Sequence, residues 1–109
     1  MADKRTTVKF AVFGYAFTII RTDNVERTAK RLGGHVPGAF AQFIERQDNP
    51  MRGYLVFSLD PEPGHIAHES FHAVWNMLKG VGAELDDETV AYHLDHLVSH
   101  IHKFIKKEK

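Results

Sequence analysis

A chain of 109 residues is long enough for one small domain with a modest core and short for an enzyme with a deep cleft. Its 14 Lys plus Arg balance 14 Asp plus Glu, which argues against nucleic-acid phosphate as the main partner, and 43% hydrophobic with 26% charged residues is an ordinary globular composition. The absence of cysteine excludes disulfides and thiolate metal sites, leaving histidine and carboxylates as the strong ligands.

Residues 7–21 are rich in aromatic and β-branched types and read as strand, with Gly14 marking a bulge or a turn into a hairpin. Thr22 or Asp23 is expected to cap a short helix running through Leu32 and ended by Gly33 and Gly34. Ala39 to Arg46 and Gly53 to Leu59 are two further strands, joined as an antiparallel hairpin by the turn from Gln47 to Arg52. Pro61-Glu62-Pro63-Gly64 then breaks the chain, with Pro63 tolerated near the start of the following helix.

That helix carries His68-Glu69-Ser70-Phe71-His72, an HExxH motif. Histidines four residues apart share one helical face, so both imidazoles can reach a single Zn²⁺, and the intervening Glu69 can take a proton from an activated water. At about 100° per residue, Ile66, Ala67, Phe71, Ala73, Val74, Met77 and Leu78 fill an apolar arc, while His65, His68, His72 and Asn76 lie opposite, with Glu69 beside them. Gly80 or Gly82 suits a left-handed C-cap, and Asp86 or Asp87 an N-cap for the last helix. Glu88, in its first turn, is the candidate third ligand; its alternative role is to complement the helix dipole, and His65 is the competing ligand.

In the last helix Val90, Leu94, Leu97, Val98, Ile101, Phe104 and Ile105 form the apolar arc, and Glu88, Tyr92, Asp95 and Ser99 an adjoining stripe. His93, His96 and His100 read as solvated or partly packed rather than as a second metal site. Lys103, Lys106, Lys107 and Lys109 make a basic end that the macrodipole favours, and His35 and His102 carry no signal. The order predicts a single α+β domain over residues 1–109: a small antiparallel or mixed sheet with a short helix, packed against a C-terminal two-helix hairpin.

The run from His68 through Ala73-Val74-Trp75, then Gly82, Glu88 and Ala91-Tyr92, resembles the small HExxH proteins encoded in bacteriophage genomes. More distantly it is similar to gluzincin metallopeptidases, and the resemblance covers residues 64–101. It implies a minimal zincin-like domain with zinc ligands His68, His72 and Glu88 and Glu69 as general base. Many gluzincins place an Asp four residues after the ligand Glu; here Tyr92 stands there, which passes the orienting role to Asp95 or leaves the site tuned differently.

Two functions follow as expectations. One is a zinc peptidase, with residues 53–59 as the edge that takes an extended peptide and Tyr92, His93 or His96 stabilising the oxyanion. The other is a non-catalytic zinc-stabilised module that binds a host or phage protein. No apolar run approaches the roughly 18 residues of a membrane helix, and Met1 to Arg5 shows no signal-peptide pattern, so the expected location is cytoplasmic, in the host if phage-encoded.

Overall fold

Alternation along the second strand sends Tyr15, Phe17 and Ile19 to one sheet face and Ala16, Thr18 and Ile20 to the other, and both faces are covered. The computed structural model describes residues 3–34, 38–46 and 48–107, which places His35, Gln47 and Lys109 outside the described residues. Strand β1 (Lys4–Phe10) turns through a 3₁₀ turn (Ala11–Phe13) into β2 (Tyr15–Thr22). Gly14 takes φ 67°, a left-handed backbone that glycine adopts without a Cβ clash, so the hairpin reading of Gly14 holds.

Helix α1 (Val25–Arg31) is capped by Asn24, whose side chain accepts from the Arg27 amide, rather than by Thr22 or Asp23. The reason is that β2 continues through Thr22, whose hydroxyl lies buried 2.9 Å from that of Thr28. Strands β3 (Ala41–Glu45) and β4 (Arg52–Ser58) form the expected antiparallel hairpin. The sheet is mixed, in the order β1-β2-β4-β3, with β2 and β4 parallel.

This order corrects one expectation. Strand β4 has a neighbour on each side, so it is interior and cannot serve as an edge for a peptide; β3 is the edge strand on that side. The apolar run Leu55-Val56-Phe57, buried on both faces, belongs to a central strand, whereas β3 has only Ile44 fully buried.

Helices α2 (Pro63–Gly80) and α3 (Asp87–Lys107) pack side by side on one face of the sheet, and α1 covers the other. The larger core joins Phe17, Ile19, Leu55 and Phe57 of the sheet to Ile66, Val74, Met77 and Leu78 of α2 and Leu97 and Ile101 of α3. Each such side chain, fully removed from water, contributes about 1.5–3 kcal/mol. Ile20, Val25, Ala29, Ile44 and Val56 make the smaller core under α1. Among the described residues no helix is long and apolar enough to cross a membrane.

The loop between α2 and α3 sets where the last helix begins. Gly82, not Gly80, takes the left-handed conformation (φ 74°), and the Val81, Gly82 and Ala83 amides cap the carbonyls of Met77, Lys79 and Leu78. Asp86 accepts from the Thr89 amide at 2.8 Å, which makes it the N-cap of α3.

Candidate metal-binding site

Helix α2 runs beside β3, and three contacts join it to that strand and to Phe40 just before it. The Phe40 and His65 rings stack at 5.7 Å, the Phe43 amide donates to Glu69 Oε1 at 2.9 Å, and the Asn76 amide donates to Glu45. In the β3–β4 ladder alternate residues pair inward, so the Phe43 N–H points outward with no strand to accept it. Glu69 takes that bond and covers the edge. Its side chain is 15% exposed, and a hydrogen bond to a charged acceptor contributes about 1.5–3 kcal/mol.

One step further round the helix, His68 and His72 point to solvent, with their Nε2 atoms 3.2 Å apart and their rings nearly perpendicular. A tetrahedral ion with nitrogens at about 2.0–2.1 Å holds two of them roughly 3.3 Å apart. The observed separation matches the bite of a two-histidine chelate. It arises from the four-residue spacing alone, because one helical turn stacks the two Cβ atoms on one face. The second oxygen of Glu69 lies 3.7 Å from His68 Nε2.

The three-ligand arrangement does not form. Among the described residues no group of three or more His, Asp or Glu side chains is placed to hold a metal ion. Glu88 is exposed in the first turn of α3, its own amide bonded to the Asp87 side chain, so it does not join the histidine pair. The physical reason is the hairpin: an antiparallel partner brings the start of α3 to the end of α2, while His72 sits two turns earlier. Glu88 is left complementing the positive end of the α3 dipole. His65 stacks on Phe40 and forms no three-ligand group with the pair.

The supporting residues also lie elsewhere. Tyr92 is exposed, with its ring against His93, and Asp95 accepts from Ser99. His93, His96 and His100 form a row along α3, where the first two pack on Phe10 and His93 also on Phe13. His93 Nδ1 meets the Thr89 carbonyl at 2.8 Å and His96 Nε2 the Lys9 carbonyl at 3.3 Å, so both rings are engaged by the fold.

The apolar arc of α2 is narrower than its sequence suggests. Ala67 and Phe71 are exposed, and Phe71 stacks on the exposed Trp75 at 5.7 Å, next to His72. The Phe43 amide as a partner of Glu69 has no signal in the sequence, since it is a backbone group freed by strand order. No protein family, curated protein or solved structure matches the chain.

Proposed function

We propose that the protein binds one divalent transition-metal ion, zinc by the chemistry of its ligands, through His68 and His72. The 3.2 Å approach of the two Nε2 atoms on an exposed helical face carries this reading. Imidazole nitrogen suits zinc, and a two-histidine chelate leaves coordination positions open to an incoming group. A peptide or protein ligand completes the set in this reading, and the resemblance to phage-encoded HExxH proteins makes a host or phage protein the partner class. Phe71 and Trp75, stacked and exposed beside His72, supply apolar surface at the same place.

A second reading, hydrolysis in the manner of a gluzincin-like peptidase, is favoured by the position of Glu69 Oε2 beside His68. Zinc, when bound, supplies a Lewis acid for a carbonyl or water. Glu69, with one oxygen fixed by Phe43, would then take a proton from a water next to His68.

Elemental analysis of chelator-treated protein resupplied with zinc tests the first reading. One ion per chain is expected for wild type and none for His72→Ala; an empty wild type overturns it. A peptide-cleavage screen separates the second. Under hydrolysis, Glu69→Gln keeps the ion and lowers turnover by roughly 10²–10⁴-fold. An activity indifferent to that change leaves the binding role.

A further inference from the structure

Beyond the histidine pair, the polar side of α2 runs on through Asn76 to Lys79 and meets a cavity of about 450 Å³. Tyr15, Glu45, Arg52, Asn76 and Lys79 line it, within the size range of small-ligand pockets, about 300–1,000 Å³. The charges here are not all spoken for. Glu45 accepts from Asn76, and Arg46, also at the rim, is committed to Asp48 at 2.6 Å. Arg52 spends one nitrogen on the Gly14 and Met51 carbonyls, at 2.9 and 2.8 Å, and pairs with no carboxylate among the described residues. Lys79 likewise makes no ion pair with any described residue.

The phenol of Tyr15 is the most telling group. The residue is 3% exposed, yet it lines the cavity, and its hydroxyl has no hydrogen-bond partner among the described residues. The hydroxyl is not among the fully buried polar atoms left without a partner, so the ring is buried while its oxygen opens into the cavity, where it can donate to a ligand. Burial, and secondarily the Glu45 carboxylate, raise its pKa against the opposing effect of Arg52, so it remains a donor. The negative end of α2 does not cancel this set, since the Met77, Leu78 and Lys79 carbonyls are already taken by the loop amides.

We infer that this cavity binds a carboxylate group, with the Tyr15 hydroxyl, the Arg52 guanidinium and the Lys79 ammonium as its donors. Arg52 and Lys79, neither in an ion pair among the described residues, share the cavity with one carboxylate, Glu45, and leave a surplus that suits a single negative charge and disfavours a dianion such as phosphate. The carboxylate has two sources, a free small acid or the terminus of a peptide. The site shares no residue with the histidine pair and does not depend on zinc.

Calorimetric titration of the metal-free full chain tests it, with acetylated dialanine, the same peptide amidated, and acetate as probes. The free-acid peptide is expected to bind and its amide to bind roughly tenfold more weakly or worse, the cost of one charge-assisted contact. Tyr15→Phe and Lys79→Gln should each weaken the acid severalfold, whereas Lys30→Gln, on α1 across the sheet, should not. Acetate as tight as the peptide assigns the cavity to small acids, and acetate much weaker assigns it to peptide termini. Equal binding of acid and amide, or no saturable binding by any probe, overturns the inference. So does acid binding unaffected by both Tyr15→Phe and Lys79→Gln.

Discussion

Helices α2 and α3 each carry histidines at three- and four-residue spacings, and the fold treats the two sets differently. On α2, His68 and His72 lie against each other, with Glu69 beside His68 and Phe71 beside His72, and both are exposed to solvent. On α3, His93 and His96 lie against Phe10, and their ring nitrogens approach backbone carbonyls. Equal spacing thus gives an exposed pair with facing nitrogens in one place and packing in the other. The distinction comes from what each helix lies against: the His68–His72 turn of α2 is exposed next to the edge of β3, while α3 is laid over β1 and the 3₁₀ turn.

The largest effect is expected where the packed row is broken. Phe10 is buried, edge-on to Phe17 and in contact with both His93 and His96, so Phe10→Ala should cost about 3–5 kcal/mol in urea unfolding. Zinc affinity measured where the fold persists should be unchanged, because the chelate lies on the other helix. A matching loss of zinc would show that the two sets are not independent.

Removing histidines from one helix or the other separates the two sets. His68→Ala or His72→Ala should weaken zinc binding by at least the roughly 10–100-fold that loss of a supporting partner costs. His96→Ala and His100→Ala should leave it intact in the same calorimetric titration. Glu88→Ala should also retain binding, since Glu88 stands apart from the pair.

Glu69 tests how the chelate is braced. Glu69→Ala removes the acceptor of the Phe43 amide and should cost about 1.5–3 kcal/mol, while Glu69→Gln keeps an acceptor and should cost under about 1 kcal/mol. Amide exchange at Phe43 reads this directly: it should accelerate in the alanine variant and stay protected in the glutamine one.

The smallest effect concerns pH. Partial burial, then His96 and Lys103, lower the pKa of His100 below the usual histidine value of about 6.5. The unfolded chain therefore takes up its proton first as pH falls, and stability is lost from about pH 6.5 downward to the folded-state pKa. His100→Gln should flatten that part of a stability–pH profile; an unchanged slope would place the titration elsewhere.

Much of this was legible in local pattern. The HExxH pair, the helix that carries it, the β3–β4 hairpin and the α+β class all follow from periodicities of about 3.6 and 2 and from turn residues. Thr22, Asp23 and Asn24 are equally good cap types, and only the length of β2 selects Asn24 among them. Which strand lies at the edge is not legible locally, because pairing partners far apart in sequence leave no local mark, although the uniformly apolar Leu55-Val56-Phe57 is the signature of an interior strand.

What the chain determined by itself is whatever one helical turn or one strand pleat dictates: a histidine pair with its nitrogens 3.2 Å apart, and the alternation that builds two cores about one sheet. Tertiary structure decided the rest. It set β3 beside α2 so that Glu69 closes a strand edge, kept Glu88 at the far end of the hairpin, and brought Tyr15, Arg52 and Lys79 from three elements to one cavity. These placements depend on strand order and on how two helices share a sheet face, which are set by long-range burial and not by the identity of neighbouring residues.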